Sequence, residues 1–184
     1  MHVQFGCGFT APKEWLNFDA SITLRWERTP LIGRLYTKNS RRFPSNVRYG
    51  DIVKGLPVDE RSCKGVYASH VLEHLALEDF HKALQETKRI LAVCQRGDSG
   101  ANAFFLSESF LGYQKRDRGL AGFAHMFLNT SRHLWMWDAL SLANILSEHG
   151  FGKIRRCSFG DCEDPMFGFV EEAGRFEHAV AMEA

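Results

Sequence analysis

What this chain lacks narrows it first. It has no run of about eighteen apolar residues, so no membrane-spanning helix is expected. Charge of one sign is missing too. The 23 Lys and Arg against 22 Asp and Glu leave +1, which gives no global pull toward nucleic acid, and no nucleic-acid partner is expected. There is no Cys-x-x-Cys pair. The five cysteines (Cys7, Cys63, Cys94, Cys157 and Cys162) are odd in number and scattered, which argues against a zinc ribbon or a dithiol redox motif. Reduced thiols in a cytoplasmic protein without a metal are the expectation. No basic-then-apolar leader precedes the first motif, so no secretory signal is expected. Repeats and low-complexity tracts are absent as well. What remains, 184 residues of which 45% are apolar and 24% charged, fits one domain over residues 1–184 with a real core.

What is present centres on residues 51–75. Val66, Tyr67 and Ala68 form a short uncharged run, as in a strand buried on both faces of a parallel sheet. From Val71 the spacing changes to three and four: Leu72, Leu75, Phe80, Ala83, Leu84, Thr87, Ile90 and Leu91 predict a helix, with a break near Leu77-Glu78-Asp79 into a short turn and a longer segment. A strand feeding a helix in this way places Ser69 and His70 at the carboxyl edge of a sheet, where open α/β folds bind ligands. Further strands are predicted at His2–Phe5, Leu16–Ala20, Val47–Tyr49, Ala103–Leu106, Ile154–Phe159 and His178–Met182. A helix is predicted after Asp138, closed by Gly150.

Gly6-Cys7-Gly8 follows the first strand, and glycines there permit a sharp turn and close approach of a ligand to the main chain. Only about ten residues separate Gly8 from Asp19, too few for the crossover helix of a dinucleotide site, whose acid stands about 20 residues on. The first crossover reads as a turn. Residues 22–48 are basic and interleaved with apolar residues, which fits either a solvated face or an amphipathic lid able to rest on membrane headgroups.

These stretches carry a resemblance. Tyr67-Ala68-Ser69-His70-Val71-Leu72-Glu73-His74-Leu75, preceded by Gly50-Asp51-Ile52 and Gly55-Leu56-Pro57, is similar to the small class I S-adenosylmethionine-dependent methyltransferases of the type 11 group. The resemblance extends over Gly6-Cys7-Gly8, Trp15-x-Asn17-x-Asp19, Arg156–Gly160 and Glu163-Asp164-Pro165. It implies a Rossmann-like α/β fold: a seven-stranded, mostly parallel sheet with an antiparallel last strand, flanked by helices. It also implies S-adenosyl-L-methionine as cofactor, lying across Gly6, Cys7, Gly8, Asp19, Asp51, Ile52, Ser69 and His70. Asp19 would accept from the ribose hydroxyls, Asp51 would take the exocyclic amine, and Ile52 would pack the adenine ring. Asp19 as a helix N-cap is the alternative for that residue. The chain departs from the group at 95–100, where a longer link stands for the usual Pro-Gly-Gly turn.

Methyl transfer is mainly positioning and exclusion of water. His70, at the end of the fourth strand, is the candidate general base if the acceptor is a hydroxyl or amine, with a structural role as its alternative. The irregular segment 110–137 is expected to cover a small-molecule or saccharide-type acceptor, with His125, His133 and Trp135 as candidate contacts; Trp137 either stacks on a ring or packs in the core. Two other functions stand beside this one. One is a non-catalytic cofactor-binding protein. The other is a zinc peptidase, because His70-x-x-Glu73-His74 matches an inverted zinc signature and would need a third ligand such as Glu148 or His149.

Overall fold

The computed structural model describes residues 1–30, 33, 41–92, 102–108, 137–177 and 179–184. Seven strands form one sheet: β1 (His2–Phe5), β2 (Leu16–Asp19), β3 (Val47–Tyr49), β4 (Gly65–Ser69), β5 (Asn102–Glu108), β6 (Arg155–Arg156) and β7 (Ala179–Glu183). Their spatial order is β3-β2-β1-β4-β5-β7-β6. Strands β1 to β5 pair in parallel, and β7 is antiparallel to both β5 and β6. This is the Rossmann-like sheet expected, with the last strand reversed. Strand β6 is shorter than predicted, because the chain turns at once: Asp161 donates its N–H to Ser158 and its carboxylate pairs with Arg155.

One face of the sheet carries the main core. Val3, Phe5, Val66, Ala68 and Phe105 pack there with residues of α2 (Leu77–Ile90) and α3 (Ala139–Glu148). In α2 the buried residues Phe80, Ala83, Leu84, Thr87 and Ile90 keep the helical spacing seen in the sequence. A break is present but earlier than predicted: a 3-10 turn at Leu72–His74 ends at Leu75, and Leu77-Glu78-Asp79 form the first turn of α2. Asp138 caps α3 by accepting from the N–H groups of Leu140 and Ser141, and Gly150 ends it at φ 74°.

The opposite face is built differently. The β1–β2 crossover is residues 6–15 and contains no helix, whereas parallel strands usually need a connection of about a dozen residues or more. Two buried amides compensate. Gln4 donates to the Thr10 carbonyl and to Asn17 Oδ1, both at 2.6 Å, and Asn17 donates to the carbonyls of Pro12 and Trp15 at 2.8 and 2.9 Å. Backbone groups that a helix would have satisfied internally are thereby paired. The area a crossover helix would have covered is covered by the β6–β7 connection. Its Phe167 and Val170 pack with Trp15, Tyr67, Cys157 and Ala181. At one end Asp164 accepts from His2 at 2.7 Å and caps the 3-10 turn Pro165–Phe169, with proline at its first position.

The basic segment is only partly described. Helix α1 (Ile22–Glu27) is capped by Ser21, not Asp19, and buries Leu24 against Cys7, Phe43 and Val47. Arg28 donates to the Pro44 carbonyl at 2.6 Å, and Arg25 lies over the Tyr49 ring. Among the described residues no helix is long and apolar enough to cross a membrane.

Candidate active site

Strands β1 and β4 are neighbours whose crossovers leave in opposite directions, β1 toward β2 and β4 toward β5. The crevice beyond their carboxyl ends is the topological switch point, where doubly wound folds hold ligands. The structure brings most sequence candidates to this edge. Gly6, Cys7 and Gly8 follow β1, Asp19 ends β2, and Ser69 and His70 end and follow β4. Asp51 and Ile52 lie just past β3, tied to β2 by the Gly50 N–H on the Asp19 carbonyl at 3.2 Å.

Both glycines are left-handed, Gly6 at φ 65° and Gly8 at φ 54°. They differ in surroundings. A Cβ on Gly6 would stand 2.1 Å from Val71 Cγ2, so this glycine lets the loop after β1 press against the turn after β4. A Cβ on Gly8 would meet nothing within 4 Å among the described residues, so its backbone borders open space. The Gly8 N–H donates to Asp19 Oδ2 at 3.0 Å, and Ser21 N–H donates to Oδ1 at 2.8 Å. Each carboxylate oxygen has a second acceptor site, so Asp19 is fixed in position and still able to accept from a ligand hydroxyl. Asp51 is held by Val53 N–H at 3.1 Å and by Lys54 at 2.8 Å, while Ile52 packs into the main core. Burial first, and then the nearby Asp19 charge, push the Cys7 thiol up to about 12, so it is no nucleophile at neutral pH.

His70 is itself left-handed, at φ 52°. Its Nε2 lies 3.0 Å from the Arg175 carbonyl, which can only accept, so Nε2 carries the proton. Its Nδ1 lies 3.1 Å from Oε1 of the fully buried Glu73. Both ring nitrogens are thus engaged, and this geometry favours the structural alternative over a general base. The zinc-signature reading meets a similar obstacle. Two histidines present one face only along a continuous α-helix, whereas here the chain passes through a left-handed residue and then a 3-10 turn. Trp137 is core, its ring 4.5 Å from that of Phe80. The other acceptor-side candidates, His125, His133 and Trp135, lie outside the described residues.

The sequence did not single out Thr10, Glu172 and Arg175. The 3-10 turn Ala173–Phe176 brings the β6–β7 connection to the site's rim. The Thr10 hydroxyl donates to Glu172 Oε1, Arg175 Nε donates to Glu172 Oε2 at 3.1 Å, and Arg175 Nη2 reaches Thr10 Oγ1 at 3.4 Å. Only the spacing of Glu172 and Arg175, three apart, was legible as a pair; its partner Thr10 is 162 positions from Glu172.

Residues 3–93, about half of the chain, match the profile of a methyltransferase-domain family. No curated protein matches the sequence significantly. Among solved structures, an S-adenosylmethionine-dependent methyltransferase from Archaeoglobus fulgidus superposes with a TM-score of 0.55 at 15% identity, covering 100% of this chain and 84% of that one. One from Thermotoga maritima gives 0.54 at 16% identity, over 99% and 80% of the two chains. Phosphoethanolamine N-methyltransferase 2 from Haemonchus contortus, in complex with S-adenosyl-L-methionine, gives 0.50 at 14% identity, over 92% of this chain and 36% of that one. Profile and fold agree with the switch-point geometry: the chain belongs to the class I S-adenosylmethionine-dependent methyltransferases.

Proposed function

We propose that this methyltransferase binds S-adenosylmethionine across Gly6–Gly8, Asp19, Asp51-Ile52 and Ser69-His70, and moves its methyl group to a small-molecule or saccharide-type acceptor. The observation that carries the reading is the Gly8–Asp19 contact at the switch point. A left-handed glycine open on its Cβ side lets a ligand approach the main chain, and its N–H holds a carboxylate beside that opening. The residues fit an adenosyl group. Asp19 offers acceptors for ribose hydroxyls, and Asp51 offers one for an amine beyond β3.

When bound, the cofactor would supply an electrophilic methyl on a sulfonium, with a neutral thioether as the leaving group opposite the acceptor. The chain's own part is to hold donor and acceptor in register and to exclude water. His70 serves here as a wall and anchor, joining the β4 turn to the Ala173–Phe176 turn. A hydroxyl or amine acceptor would then draw its base from elsewhere at the rim. The relative named for a phosphoethanolamine acceptor supports a small molecule as substrate. The union of strands from β1 to β7 in one continuous sheet supports a single domain over 1–184. The four described cysteines are free thiols, which supports a cytoplasmic setting.

The test is calorimetric titration with S-adenosylmethionine and S-adenosylhomocysteine, on the wild type and on Asp19→Ala, followed by an acceptor screen for the demethylated product. Binding in the wild type that is lost in the variant is expected. No binding to well-folded wild type would refute the reading, and binding without turnover on any acceptor would turn it into that of a binding protein.

A further inference from the structure

The β6–β7 connection reaches the rim at one charged point. The Arg175 carbonyl holds His70 after β4, while its side chain meets Thr10 after β1, so the residue spans the two sides of the switch point. A guanidinium has five N–H donors. Two are used, Nε on Glu172 and one of Nη2 on Thr10, and the other three have no partner among the described residues. The hydrogen bond to Thr10, two residues after Gly8, places the cation beside the glycine loop. Glu172 is held in its ionised form, chiefly by the Thr10 hydrogen bond, so the rim carries both signs of charge within one turn.

Such a rim matches one part of the cofactor. An adenosyl group is neutral, whereas the amino-acid end of S-adenosylmethionine is a zwitterion with a carboxylate and an ammonium. We propose, resting on the function assigned above, that Glu172 and Arg175 are the receptor for that amino-acid end. Arg175 receives the α-carboxylate through its remaining N–H groups, and Glu172 receives the α-ammonium. The connection between the last two strands, which covers the sheet face left bare by the short first crossover, thereby also forms part of the cofactor site. A planar fork suits a carboxylate better than a point charge, so lysine at 175 should serve only in part.

The experiment compares two ligands by calorimetry on the full chain. S-adenosylhomocysteine carries the amino-acid end; 5′-methylthioadenosine lacks it. Arg175→Ala and Glu172→Gln are expected to weaken S-adenosylhomocysteine about tenfold to hundredfold, the range for one charged hydrogen bond. Binding of 5′-methylthioadenosine should be unchanged, and Arg175→Lys should recover part of the loss. The His70 contact uses the backbone carbonyl, so these variants leave it in place; Arg175→Gln, which keeps most of the stem, carries the same comparison if the alanine variant melts early. Unchanged S-adenosylhomocysteine binding in Arg175→Ala, or an equal loss for both ligands, would overturn the inference alone. Wild type that binds neither ligand would overturn the methyltransferase reading and this inference with it.

Discussion

Glu86 and Arg89, one turn apart on α2, form a two-pronged ion pair whose remaining bonds hold the loop that follows Asp51 and Ile52. Arg89 Nε and Nη2 each lie 2.7 Å from a Glu86 oxygen. Glu86 Oε1 also accepts the Leu56 N–H at 2.7 Å, and Arg89 Nη2 donates to the carbonyls of Leu56 and Val58 at 3.2 and 2.9 Å. The pair is thus a clamp between the helix and residues 56–58. Arg89→Met should remove the donors to both carbonyls and leave Glu86 without its ion pair, lowering stability by about 2–3 kcal/mol in urea melts.

The same clamp gives a pH dependence. The Arg89 hydrogen bonds, foremost, hold the Glu86 carboxyl below its ordinary value in the folded state. Its contribution to stability is therefore complete above the unfolded value, about 4.3, and is lost as pH falls through the lower folded value. Glu86→Gln should lower the melting temperature at pH 7 and cost progressively less as pH drops below about 4. A constant difference between variant and wild type across that range would show that the charge contributes nothing.

The buried amides Gln4 and Asn17 stand in for a crossover helix, so their loss should be expensive. Asn17→Ala removes two donors and one acceptor at once: one Gln4 N–H is left in need of a partner, and the carbonyls of Pro12 and Trp15 each lose a donor, although Pro12 keeps the Trp15 N–H. An unsatisfied buried polar group costs about 1–3 kcal/mol, so a loss of about 3 kcal/mol or more in a urea melt is expected. Asn17→Asp would still accept from Gln4 but would bury a charge and should be no milder.

How much of this was legible in the sequence follows the range of each interaction. The strands and α2 were readable because burial imprints a local period, and a break in that period was foreseen two residues too late, at Leu77-Glu78-Asp79 where α2 begins. The edge at Gly6–Gly8, Asp19 and Ser69-His70 was readable because a strand end and a glycine turn are local features. The covering of the second sheet face was not. Residues 160–177 look like a long polar loop until Phe167 is seen against Trp15 and Tyr67 and Asp164 against His2. Those pairs are distant along the chain and leave no period. The contact of His70 was hidden for the same reason, since the carbonyl that engages its Nε2 lies 105 positions away.

The Cys7 thiol sits in the glycine loop and would be the natural target of any alkylating reagent entering the site. With burial as the first cause, its ionisation is pushed to about 12. Cys7 in the native protein should therefore resist iodoacetamide at pH 8 and react once urea unfolds the chain, as followed by peptide mass spectrometry. Rapid native labelling would mean that the loop opens readily.

The two glycines that open the site separate folding from binding. At Gly6 a methyl group meets Val71 Cγ2 at 2.1 Å and the backbone is left-handed, so Gly6→Ala combines a clash with strain. Left-handed backbone alone costs a non-glycine residue about 1–2 kcal/mol, and displacing the turn after β4 adds to it, so this variant should melt well below the wild type. Gly8→Ala carries the backbone cost without the clash, because nothing described lies within 4 Å of its Cβ. It should keep its fold, with a loss of about 1–2 kcal/mol, yet bind S-adenosylhomocysteine at least tenfold more weakly, since the methyl group occupies the space through which the ligand reaches the main chain. Circular dichroism melts and titration calorimetry on the two variants make the comparison. A Gly8→Ala protein that binds like the wild type would move the cofactor away from this loop.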